Sequence, residues 1–141
     1  MTVALTTPPG VDVGEFEIIV TAPTPQLTFV TAETGGLADG VDADLQEAAL
    51  PGGSKGTARV RITLSTLRGK ATRQPLPNGV LVYLLFSVNK DLKRGESLTL
   101  QATGKAVSPV NPPKAVQPLA VRGTTVKVGD APITSCFFYM H

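Results

Sequence analysis

The chain has 141 residues, 42% hydrophobic and 17% charged, with 14 Gly, 12 Pro, one Cys and one His. That length suits a single domain burying about 68% of the surface its unfolded chain exposes, so no metal or disulfide staple is required for folding. The Gly and Pro content excludes long helices, the lone Cys136 excludes an internal disulfide, and no apolar run reaches the roughly 20 residues of a membrane-spanning helix.

The start, MTVALTTPPG, lacks the basic end and apolar core of a signal peptide, so any export signal is expected outside this stretch. The net charge of +2 conceals a division along the chain. Residues 1–50 hold eight acids and no base, whereas the other 91 residues hold all 13 Lys and Arg against Asp91, Glu96 and Asp130. Lys55, Arg59, Arg61, Arg68, Lys70 and Arg73 gather in a stretch without a carboxylate. Either acidic and basic strands become neighbours and pair off, or the bases form an electropositive binding face.

In chain order, the first strand candidate is Thr2–Thr6. Phe16, Ile18 and Val20 then alternate with Glu15, Glu17 and Ile19, the pattern of a strand with one inner face. Gln26–Thr31 and a short piece near Val41–Leu45 follow. Ala58, Val60, Ile62 and Leu64 alternate with Arg59, Arg61, Thr63 and Ser65. NGVLVYLLFSV, residues 78–88, does not alternate: from Val80 to Phe86 only the Tyr83 hydroxyl is polar. Both faces of that strand are buried, or one outward face is kept apolar for a partner. Ser97–Gln101, Gly104–Val107, Ala115–Val121 and Thr124–Val128 complete the set. TAPTP, PGGSKG, PLPNG and NPP separate the strands with turn-forming residues. Eight to ten short strands without intervening helices predict an all-β, two-sheet antiparallel β-sandwich such as a jelly roll.

GVDVGEFEIIVTAPTPQLTFV (10–30), GTARVRITLS (56–65), NGVLVYLLFSV with SLTLQATGKAVSP (97–109), and VRGTTVKV (121–128) stand in the order and spacing of the cohesin domain, which the chain resembles from Thr2 to about Val128. No single motif is diagnostic; the ordered series carries the likeness. Many cohesins place an Asp-Pro after the second strand where this chain has Ala22-Pro23, which leaves the subtype open. The resemblance implies a nine-stranded jelly roll over residues 1–129, followed by a tail, 130–141. It implies a non-catalytic module that binds a dockerin-bearing protein. Such a module tethers enzymes or other proteins to an extracellular scaffold or cell surface, in connection with polysaccharide degradation. Aligned by its Phe86-Ser87-Val88 end, the 78–88 strand is expected to send Val80, Val82, Leu84, Phe86 and Val88 inward and Leu81, Tyr83, Leu85 and Ser87 outward. The resemblance sets it beside the 56–65 strand, so the expected partner-binding residues are Arg59, Arg61, Thr63, Leu81, Tyr83 and Leu85. An apolar centre with Tyr and Arg anchors is the composition of an interface hot spot.

Dockerins, as the family implies, carry aspartate-rich calcium loops, so calcium belongs to the partner and this chain is expected to need no cofactor of its own. Asp39, Asp42, Asp44 and Glu47 offer oxygen ligands, but Ala43 and Leu45 break the spacing of a calcium-binding loop, and a solvated acidic loop is expected. The only histidine is His141, which leaves Ser-His-Asp and Cys-His chemistry without an anchored base, and one Cys with one His is too few for a zinc site. Glu15 and Glu17 on one strand face read as its wet side rather than a glycosidase pair. With 5% aromatics not interleaved with the bases, nucleic-acid binding has little support. Polysaccharide is the second candidate partner, since carbohydrate-binding modules share the sandwich. Trp is absent, however, and Tyr83 is the one outward ring expected, a poor platform for sugars. A structural spacer or adhesin domain is the third reading. The tail's APITSCFFYMH is either the edge of a following segment or folds back on the sandwich.

Overall fold

The computed structural model describes residues 1–52, 56–69, 73–89, 91–117 and 121–127. Eight strands and one short helix are present: β1 (Thr2–Leu5), β2 (Glu15–Thr21), β3 (Leu27–Thr34), α1 (Gly36–Gly40), β4 (Asp44–Ala49), β5 (Arg59–Ser65), β6 (Gly79–Val88), β7 (Ser97–Val107) and β8 (Thr124–Lys127). They form two antiparallel sheets, β1-β6-β3 and β4-β5-β2-β7-β8. This is the expected all-β two-sheet sandwich, with eight strands among the described residues rather than nine.

Period-two patterning builds the interior. Phe16, Ile18 and Val20 of β2, Val60, Ile62 and Leu64 of β5, and Leu98, Leu100 and Ala106 of β7 are all buried on the inner face of the larger sheet. Val3, Leu27, Val82 and Leu84 face them from the smaller one. Each such aliphatic side chain contributes about 1.5–3 kcal/mol by leaving water, which sets the parity of every strand. Phe29 and Phe86 pack against this core at the edge of the small sheet, ring centroids 5.6 Å apart and edge to face.

Three local features depart from the strand reading. The two pieces 97–101 and 104–107 are one strand, β7, because Gly104 continues it. A Cβ at Gly104 would stand 2.5 Å from the Glu17 carbonyl oxygen, so glycine lets β7 lie close against β2. The acidic segment is solvent-exposed, as expected, but much of it is helix and strand rather than loop. Asp39 belongs to α1 and accepts a hydrogen bond from the Thr34 hydroxyl at 2.5 Å. Glu47, on β4, accepts the Ala32 N–H of β3 at 2.7 Å. That second bond joins edge strands of the two sheets and occupies an edge N–H that would otherwise be open to another chain. The strand expected at 115–121 is reduced, among described residues, to a bridge between Val107 and Ala115. Residues 118–120 and 128–141, including the tail and Cys136, lie outside the described residues.

Candidate functional site: the outer faces of the two sheets

The register separates the six residues expected to form one surface. β5 pairs with β2 and β4, and β6 pairs with β1 and β3. Arg59, Arg61 and Thr63 therefore sit on the five-stranded sheet, while Leu81, Tyr83 and Leu85 sit on the three-stranded one. The expectation that they lie side by side is corrected: the two strands occupy opposite sheets. Local alternation says which face of a strand is wet but not which strand it joins. Cross-strand charge was the available signal, since acidic EFEIIVT and basic RVRITLS are each other's partners.

The outer face of the five-stranded sheet neutralises its own charges. Glu17 lies opposite Thr63 on one side and Lys105 on the other. Its carboxylate is 3.8 Å from both the Arg61 Nε and the Lys105 Nζ. Glu15 is 3.8 Å from the Arg68 Nε, and Arg68 also donates to the Gln46 side chain at 2.5 Å. Thr63 is buried within this lattice of side chains rather than offered to a partner. Around it stand Thr21, Gln101 and Thr103, and Thr99 and Thr125 share a hydroxyl hydrogen bond of 3.0 Å. Partly exposed pairs of this kind contribute about 0.2–1 kcal/mol each, so their main effect is to cancel the field of the bases. Of the six bases gathered in the sequence, Arg61 and Arg68 pair with carboxylates of β2, while Lys55 and Lys70 lie outside the described residues.

The outer face of the three-stranded sheet changes character along β6. At its start the face is covered: α1 packs on β3 and β6, the Gly35 N–H donates to the Leu81 carbonyl at 2.8 Å, and Leu37 lies over Gly79. Leu81 is 0% exposed as a result, and Thr2, which lies opposite Tyr83 on β1, is also 0% exposed. The expectation that Leu81 meets a partner is therefore corrected. Gly35 admits the Tyr83 ring, whose Cε2 would stand 3.2 Å from a Cβ there, and Tyr83 is half-buried. Past Tyr83 the face opens. Leu85 is 46% exposed and Ser87 is exposed. In β3 the register slips between Phe29 and Thr31, and this bulge leaves Val30 51% exposed across from the Leu85–Phe86 step. Thr28, Thr31 and Glu33 complete the β3 side of the face.

The inward set of β6 holds in its middle and loosens at its ends. Val82 and Leu84 are fully buried, Val80 and Phe86 half-buried, and Val88 is exposed where the strand ends opposite Leu27. The strand's unbroken apolar run is buried on both faces at Leu81 and Val82 and presents Leu85 and Val88 to water beyond.

Five large apolar residues are strongly exposed among the described residues: Val30, Leu37, Leu85, Val88 and Val110. All but Val110 belong to β3, β6 or the helix between β3 and β4. Val30 was not among the expected site residues, because a bulge leaves no mark in the alternation of QLTFVTAET. Among the described residues no group of three or more His, Cys, Asp or Glu could hold a metal ion. Asp39, Asp42, Asp44 and Glu47 are dispersed over α1, a turn with Asp42 at φ 52°, and β4.

No family profile matches the sequence, and no curated protein matches it. Solved structures do. The third ScaC cohesin of Acetivibrio cellulolyticus, in complex with the ScaB dockerin, superposes with a TM-score of 0.67 at 12% identity, over 92% of this chain and 87% of that one. The OlpA cohesin of Clostridium thermocellum, also in a dockerin complex, gives a TM-score of 0.64 at 11% identity, over 90% and 85%. A non-cellulosomal cohesin of the archaeon Archaeoglobus fulgidus gives 0.57 at 16% identity, over 85% and 73%. With a three-plus-five antiparallel sandwich and likenesses that span most of each chain, this protein has the fold of cohesin domains.

Proposed function

We propose that this chain is a non-catalytic protein–protein interaction module that takes a calcium-loaded dockerin on the open part of its β3–β6 face. The observation that carries the reading is the asymmetry of the two outer faces. Val30 and Leu85, with the half-buried Tyr83 beside them, stay exposed on the small sheet, while the large sheet sets paired charges and hydroxyls around a half-buried Ile19. Exposed Val30 and Leu85 with Thr28, Thr31, Ser87 and Glu33 near them on β3 and β6 have the composition of an interface core with a polar rim. That two similar structures were solved with dockerins bound supports a dockerin as the partner class. Of the expected contacts, Tyr83 and Leu85 stay in the proposed site and Val30 and Thr31 join them; Leu81, Arg59, Arg61 and Thr63 leave it. The same fold resemblance supports an extracellular or cell-surface scaffold as the setting, with calcium held by the partner.

A sugar-binding face is less well supported. Phe16 is buried and Phe29 and Phe86 pack on the core, so among the described residues Tyr83 is the one ring on this face. Calorimetric titration with a panel of calcium-loaded dockerins, including the ScaB dockerin, tests the proposal alongside gel retardation in soluble polysaccharides. Saturable one-to-one binding, lost on chelation, is the expected result. Retardation by a polysaccharide with no heat from any dockerin would overturn it.

A further inference from the structure

The helix that seals the start of β6 carries an exposed apolar side chain of its own. Within GLADG, Ala38 is buried in the core and Leu37 is 47% exposed. Two bonds hold the helix that way round: the Gly35 N–H donates to the Leu81 carbonyl, and the Asp39 carboxylate accepts the Thr34 hydroxyl. A Cβ at Gly79 would stand 2.6 Å from the Leu37 Cδ1, so glycine at that position makes the seat on which Leu37 rests. Gly79 has the outward parity of Leu81, Tyr83 and Leu85, which sets Leu37 in line with them on the outer face of the small sheet.

Scale decides whether a partner on the open part of this face stops short of α1. A standard interface takes about 800 Å² of each partner, a patch on the order of 16 Å in radius. From Tyr83, Leu85 is two strand positions away, about 7 Å, and Gly79 beneath Leu37 is four, about 13 Å. A patch centred on Tyr83 takes in both. Val88 is the useful contrast: it is 42% exposed, but its parity is inward and it meets water where the strand ends.

We propose that Leu37 is a second apolar anchor of the partner site, at the opposite end from Leu85 and about 20 Å from it along β6. The inference rests on the dockerin reading and adds to it the point at which the partner places a second apolar group. Because α1 packs on the sheet, Leu37 stands above the plane of Tyr83 and Leu85. A dockerin with a charged or polar group at that point buries it against a leucine that offers no hydrogen bond, and so binds less tightly than one with an apolar group there.

Calorimetry with the dockerins above tests the anchor in the full chain. Leu37→Ser is expected to weaken binding about tenfold, whereas Leu37→Met and Val88→Ser are expected to change it little. The parent chain gives a second reading that no change in folding can disturb. With labelled Leu and Val methyl groups and a soluble paramagnetic probe, the complex is expected to shield Leu37 together with Leu85 and to leave Val88 accessible. Where Leu37→Ser lowers the Tm, this methyl result decides. Shielded Leu85 with accessible Leu37, or a stable Leu37→Ser variant that binds as tightly as the parent, would overturn the anchor and leave the dockerin reading intact. An accessible Leu85, or no binding of any dockerin by the parent chain, would overturn that reading and the anchor with it.

Discussion

The two outer faces of the sandwich meet water by different means. On the five-stranded sheet Glu17 stands between Arg61 and Lys105, and Glu15 takes Arg68, so strands that look strongly charged in sequence present a nearly neutral, self-satisfied surface. On the three-stranded sheet the start of β6 is sealed under α1, and the remainder shows Leu85 and the bulged Val30 without a covering element among the described residues. Charge density was therefore a poor guide to where apolar surface stays exposed. Polar groups already paired within one molecule have little left to offer another, whereas exposed apolar area gains free energy only when something covers it.

The largest expected effect contrasts adjacent positions on β6. Leu84 is buried and Leu85 is 46% exposed, so Leu84→Asp strands a charge in the core and costs about 3–5 kcal/mol, enough to unfold a domain of ordinary stability. Leu85→Asp is expected to shift stability by about 0.5 kcal/mol or less. Urea melts of the two variants check this; equal losses would mean that Leu85 is covered in solution.

Next in size is the effect on binding. Tyr83→Asp removes an aromatic anchor and sets an acid before an acidic partner, with an expected loss of about 2 kcal/mol or more, roughly thirtyfold in dissociation constant. Calorimetry against a dockerin that binds the parent chain measures it.

A smaller effect is expected on the other face. Arg61→Glu combined with Lys105→Glu leaves Glu17 among like charges, costing about 1 kcal/mol of stability, or several degrees in Tm. The dockerin on-rate and its salt dependence should stay close to those of the parent chain, because these groups lie on the sheet away from the proposed site. A pronounced slowing in stopped-flow association would return the site to the basic strand. The smallest effect concerns metal: chelation should leave the Tm of this chain unchanged while abolishing the complex. A drop in its own Tm would revive the acidic residues of α1 and β4 as a calcium site.

Much of the fold was legible because burial enforces parity. The inner and outer residues of β2 and β5 follow directly from their alternation, and the Gly and Pro clusters mark where strands stop. What escaped depends on contacts distant in sequence. Whether β5 joins β6 or β2 is decided by pairing, and only the complementary charges of β2 and β5 hinted at it. Leu81 looked outward, and by parity it is, but a five-residue helix beginning at Gly36 covers that end of the face. Gly104 resembled a strand break because its role, admitting the Glu17 carbonyl, belongs to a neighbouring strand. Tyr83 and Leu85 were identified from an apolar run too long for a one-sided strand, while Val30 needed the register slip to become visible.

The central claim is that recognition belongs to the β3–β6 face. Amide chemical-shift mapping of the labelled chain on addition of a calcium-loaded dockerin tests it most directly. The account predicts perturbations concentrated at residues 28–33 and 83–87, with 59–63 and 101–105 little changed. Shifts concentrated on 15–19, 59–63 and 101–105 instead would contradict it and place the partner on the charge-paired sheet.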